Sequence, residues 1–97
     1  MNEDKELLTL AAKAAGIEVI SDAGEKGLWI KHKFLAWNPL TDDGDALRLA
    51  VKLGLGIRFY LDGVGAGEEY EMNQEDPYAA TRRCIVRAAS EIGRGMD

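Results

Sequence analysis

Apolar positions along the chain follow two spacings, three to four residues in some stretches and two in others. Between Asp4 and Ala15 they fall at Leu7, Leu8, Ala11, Ala12 and Ala15, which predicts an amphipathic helix, and Gly16 stands where a left-handed cap would end it. Ile17 to Ile20 is short and β-branched, and Leu28 to about Phe34 puts Leu28, Ile30 and Phe34 on one face, so both predict strands. The run between them, SDAGEKG from Ser21 to Gly27, is turn chemistry and makes the pair a hairpin.

Pro39 holds Asn38 away from the helical region. Thr41-Asp42-Asp43 then predicts a helix start, with Thr41 as the capping acceptor and two carboxylates at the positive end of the dipole. The helix carries Ala46, Leu49, Ala50 and Leu53 in one stripe, and Leu47 and Val51 widen it. A helix apolar over most of its girth is expected to be wedged between layers. Gly54 closes it.

From Leu55 to Leu61, Leu55, Ile57, Phe59 and Leu61 share one face of a predicted strand, with Gly56, Arg58 and Tyr60 on the other. Asp62 to Gly67, DGVGAG, is expected to be a flexible turn, and Glu68 to Asn73 a strand with Tyr70 and Met72 inward and Glu69, Glu71 and Asn73 outward. Asp76-Pro77 opens a last helix by a capping acid followed by proline. It is predicted to bury Thr81, Cys84, Ile85, Ala88 and Ile92 and to end at Gly93. No repeat is visible beyond the two hairpins.

The expected fold class is therefore α+β, in the order α-β-β-α-β-β-α. Two hairpins would form one four-stranded antiparallel sheet with helices packed on it as an α/β/α sandwich. Full burial of Ile57 or Phe59 would contribute roughly 1.5–3 kcal/mol each, so a charge at either is expected to be severely destabilising. At 97 residues the chain suits one domain spanning 1–97.

Charge narrows the chemistry. Twelve Lys+Arg against seventeen Asp+Glu give −5, which disfavours a general binder of nucleic acid or anionic membrane. One Cys and one His leave no disulfide framework and no multi-His metal centre. Neither a secretory leader nor a membrane span is apparent, which implies a reducing, cytoplasmic setting.

The run Trp37-Asn38-Pro39-Leu40-Thr41-Asp42-Asp43-Gly44-Asp45-Ala46-Leu47-Arg48-Leu49-Ala50-Val51-Lys52-Leu53-Gly54-Leu55 resembles a signature of the phage ABA sandwich domain, a family of small bacteriophage and prophage proteins. The closing segment from Asp76 to Ala89 resembles the same family. The resemblance implies a sheet between helical layers, phage origin and the host cytoplasm. It brings no activity, cofactor or catalytic residue.

Several constellations could carry chemistry. Asp42, Asp43 and Asp45 with His32 would suit a divalent cation, but the spacing of a calcium loop is absent and acids in a first helical turn already serve the dipole. Arg83, Arg87 and Arg94 share a face of the last helix, with Arg82 beside them, and could grip phosphate; a solvated or intramolecularly paired face is the simpler reading. Asp62, Glu68, Glu69, Glu71, Glu75 and Asp76 could mimic a nucleic-acid backbone, but six acids over that stretch are thin for mimicry and ordinary edge-strand protection is the simpler reading. DGVGAG lies between strands and lacks the lysine of a phosphate loop. Cys84 falls mid-helix on the apolar side, where a thiol is inert.

The expectation is a non-enzymatic protein without cofactor or metal, acting by contact with a phage or host protein and forming a small homo-oligomer. Trp29, Trp37 and Tyr60, with Arg83 and Arg87, are the expected contact residues. The alternatives are a small-ligand or metal-dependent enzyme using the acids at Asp42–Asp45, and nucleic-acid binding through the arginines of the last helix.

Overall fold

A computed structural model describes residues 3–31, 33, 35–73 and 75–96. His32 and Phe34 lie outside the described residues, and with them the His32 half of the proposed cation site and the end of the second predicted strand. The first helix, α1, runs Glu3–Ala15, and three short strands follow: β1 at Val19–Asp22, β2 at Leu28–Ile30 and β3 at Ala36–Trp37. The middle helix α2 spans Asp43–Leu53, three more strands are β4 at Ile57–Phe59, β5 at Gly63–Ala66 and β6 at Glu69–Met72, and α3 runs Pro77–Arg94. A helix followed by a three-stranded meander thus occurs twice in succession, and a last helix closes the chain.

The predicted single four-stranded sheet is not formed. The strands make two separate three-stranded antiparallel sheets, β1-β2-β3 and β4-β5-β6, and the order is α-β-β-β-α-β-β-β-α. Each meander closes on itself because a third strand arises inside it. In the second, Tyr60 N–H donates to the Gly63 carbonyl at 2.8 Å across a two-residue turn, so GVGA returns at once as β5. The stretch expected to be a flexible turn is the buried central strand of its sheet. Val64 and Ala66 enter the core, and the Tyr70 and Arg58 side chains cover Gly63 and Gly65 on the opposite face. A Cβ on Gly63 would stand 2.3 Å from the Tyr70 hydroxyl and 2.5 Å from the Glu71 carbonyl.

α3 organises the core. It packs on α1, α2, β5 and β6. Small residues at Ala11, Ala12 and Ala15 of α1 and Ala88, Ala89 and Gly93 of α3 are all buried, and small side chains let helices approach closely. α3 continues past the expected stop at Gly93 to Arg94, while Ile92, expected to be buried, is exposed. Gly16 and Gly54 adopt the left-handed conformation expected of them, with φ of +71° and +65°.

α2 is not wedged between layers. Ala46, Leu49 and Ala50 are buried, but Leu47 is 60% exposed and Val51 73%. With the strands divided between two small sheets, no single sheet extends over its far side. The capping residue is Asp42 rather than Thr41; its carboxylate accepts from Asp45 N–H at 2.8 Å. The β6 faces are also opposite to expectation. Tyr70 and Met72 are exposed, and Glu69 and Glu71 turn inward toward α3, where Arg87 pairs with both.

Candidate functional site

The first turns of α2 and α3 and the length of β4 enclose an open groove of about 620 Å³. Leu47 from α2, Ile57 and Phe59 from β4, and Tyr78, Thr81 and Ile85 from α3 line it. Ile57 and Phe59 point the same way because β4 alternates, and the face is the one that packs on α3. Ile57 is half-buried against the core. Phe59 overhangs the groove and is 72% exposed, so the expected full burial of Phe59 fails. Tyr78 is also exposed, and Leu61 beyond the strand is fully so.

One helix cap, one turn and one arginine hold the groove in shape. Asp76 accepts from the N–H groups of Tyr78 at 3.0 Å and Ala79 at 3.2 Å, with Pro77 at the first turn, which starts α3 beside β4. Asn38 Oδ1 accepts from Leu40 N–H at 3.1 Å, and Asp45 accepts from Asn38 N–H at 3.0 Å, shaping the turn that delivers α2. Arg82 then ties the two starts together, donating from Nε to the Leu40 carbonyl at 2.8 Å and from Nη1 to Asp43 at 2.6 Å.

The acids weighed as a cation site are bonded to other groups of the chain, and Asp42 and Asp45 share Arg48. Asp42 caps α2, Asp43 pairs with Arg82, and Asp45 bonds Asn38 N–H and pairs with Arg48 at 2.7 Å. Among the described residues no group of three or more His, Cys, Asp or Glu side chains stands close enough to hold a metal ion. The arginines of α3 are engaged within the chain: Arg83 with Asp4 at 3.1 Å, Arg87 with Glu69 at 3.1 Å and with Glu71, and Arg94 with Glu91 at 3.1 Å. The hydrogen bond to Glu71 pushes the Arg87 pKa up from its ordinary value.

The other expected contact residues are dispersed. Trp37 is buried, paired with Leu28 in the first sheet, and belongs to the core. Trp29 is half-buried in β2, between Ser21 and Ala36. Tyr60 alone reaches the groove, and its ring lies 6.1 Å from that of Tyr70 on the solvent face of the second sheet. Phe59, Leu47 and Tyr78 were missed as surface residues. A signal existed for Leu47: together with Val51 it lies outside the Ala46–Leu49–Ala50–Leu53 stripe, so it needed a second neighbour that the chain does not supply.

No described helix is long and apolar enough to cross a membrane. Compared with known proteins, the chain matches no family model, no curated protein and no solved structure.

Proposed function

We propose that this protein works by contact, holding a partner protein against the groove between α2, α3 and β4. The observation that carries the reading is the exposure of Phe59, Tyr78 and Leu47 around one concave, mainly apolar surface. Scattered apolar side chains are ordinary on a surface, but a contiguous set around a groove is the usual mark of an interaction site. The side chains best suited to other chemistry support the same view, since the acids of α2 and the arginines of α3 are already bonded within the chain. In this reading the resemblance of the Trp37–Leu55 and Asp76–Ala89 runs to phage proteins puts the partner in a phage-infected bacterium.

The test is site-specific cross-linking in bacterial cells with a photoreactive phenylalanine analogue in place of Tyr78. A discrete adduct with one protein is expected, either another protein or a second copy of this chain. It should vanish when Phe59→Asp is added and be absent when the analogue replaces Lys13. Equal adducts from positions 78 and 13, or none from 78, would refute the proposal.

A further inference from the structure

We infer that the partner at the groove is a second copy of this chain: two β4 edges pair antiparallel about a two-fold axis at Arg58 and join the second sheets into one of six strands. This names the partner of the contact reading above and rests on it. β4 offers a free edge. Tyr60 N–H donates to the Gly63 carbonyl at 2.8 Å and Gly67 N–H to the Gly56 carbonyl at 3.3 Å. With Arg58 opposite Gly65 between them, these are the hydrogen-bonded pairs of the β4–β5 ladder. The N–H and C=O groups of Ile57 and Phe59 therefore point the other way, and among the described residues no turn or loop bond takes them up. A copy paired about Arg58 sets Ile57 against Phe59 of the partner subunit and Phe59 against the partner's Ile57. Each such pair exchanges two bonds, which uses every free group of the edge. The same register brings the two apolar side chains together on the groove face.

Self-complementarity selects the copy. A net charge of −5 opposes self-association in general, but the groove is neutral: its charged side chains, Asp43 and Arg82, are paired with each other. Arg58 meets its own copy at the axis, yet its guanidinium leans away from the edge, lying over Gly65 of β5 and donating to the Gly67 carbonyl at 2.9 Å. One surface holds both the hollow and the side chains of Phe59 and Leu61 that protrude beside it, as a contact between identical patches requires. Most of Phe59, Tyr78 and Leu47 and all of Leu61 are open to solvent. With the strand edge they offer roughly 500–600 Å² on each copy, enough for a specific interface of about 1,000 Å² in total. The other edges are blunted: the register of β1 shifts between Val19 and Ser21, β3 has two residues, and β6 alternates Glu69 and Glu71. Pairing through β4 thus closes at two copies and does not grow into a fibre.

The test is sedimentation velocity on the purified chain across a dilution series, where a dimer that dissociates on dilution is expected. Phe59→Asp should weaken it at least about tenfold, without moving the unfolding midpoint at dilutions where the native chain is itself monomeric. Ile20→Asp, at an exposed position of the first sheet, should leave the dimer intact. The register is read by Arg58→Cys in a Cys84→Ala background. Opposed residues that share no hydrogen bond lie about 4.5 Å apart at Cα, within reach of a disulfide, so mild oxidation should link two copies through position 58. Ile20→Cys in the same background should not link. A chain monomeric throughout, a dimer indifferent to Phe59→Asp or lost with Ile20→Asp, or linking at position 58 no faster than at position 20 would overturn the proposal. A Tyr78 cross-link to a different protein, found with a monomeric chain, would leave the contact reading standing and sink this one alone.

Discussion

Arg82 reaches from the first turns of α3 to the Leu40 carbonyl, 42 residues earlier in the chain, and closes on it at 2.8 Å. Its other arm meets Asp43 at 2.6 Å. One guanidinium thus joins the NPL turn to the last helix. The Arg82 side chain is largely buried, whereas Asp43 is largely exposed, so the bond to the carbonyl is the one that matters for stability. Arg82→Met should cost about 1.5–3 kcal/mol, because it leaves a carbonyl short of a charged donor. Arg82→Lys should recover only part, since an ammonium cannot present the same fork. Urea unfolding checks both, and an unchanged midpoint in Arg82→Met would show that the turn is held by other means.

Gly93 offers a sign test. In an open helix a Gly→Ala change stabilises by about 1 kcal/mol. Here a Cβ would stand 2.0 Å from the Leu10 carbonyl oxygen of α1, which is backbone and cannot swing aside. Gly93→Ala should therefore destabilise by about 2–3 kcal/mol as the two helices are forced apart. A raised melting temperature would mean that α1 and α3 do not approach as described.

Phe59 and Val64 face each other across β4 and β5 but should respond differently. Val64 is fully buried, and Val64→Asp should abolish folding because an unpaired carboxylate cannot be accommodated there. Phe59→Ser should change stability by no more than about 0.5 kcal/mol, the usual range for an exposed site. Thermal unfolding of the two variants separates these outcomes, and a collapse of Phe59→Ser would return that side chain to the core.

Cys84 carries a pH dependence. Its Sγ–H is buried and donates to the Val64 carbonyl at 3.4 Å. Burial pushes the thiol pKa up, the Glu71 and Glu69 charges add to it, and a backbone hydrogen bond from Ala66 opposes it. The native protein therefore keeps a proton that the unfolded chain releases. That contribution is complete below the unfolded thiol value, about 8.5, and is lost as pH rises toward the folded value. Stability should fall more steeply above about pH 8.5 in the native sequence than in Cys84→Ala. Matching denaturation curves for the two proteins across that range would contradict the burial.

Local signals suffice where a single element determines the outcome. The Asp76-Pro77 start, the left-handed glycines at 16 and 54 and the Leu8–Ala11–Ala12–Ala15 stripe all occur as the spacing predicts. β5 was legible too, since Val64 and Ala66 alternate with Gly63 and Gly65 at the period of a strand. The density of glycine outweighed that signal, because what protects a glycine-rich strand is the Arg58 and Tyr70 side chains of its neighbours.

Period two says that Glu69 and Glu71 share a face; it does not say which face is inside. That depended on register, which sets Tyr70 opposite Gly65 with its ring over Gly63, and brings Arg87 of α3 to the two glutamates. The same holds for Phe59 and Leu47. Their hydrophobicity is a property of the chain, but their exposure follows from strands closing into two small sheets instead of one large one. Caps, turns and periodicity arise from neighbours within a few residues and can be read along the chain. The groove is made by Leu47, Phe59 and Tyr78, which only long-range pairing and packing bring together.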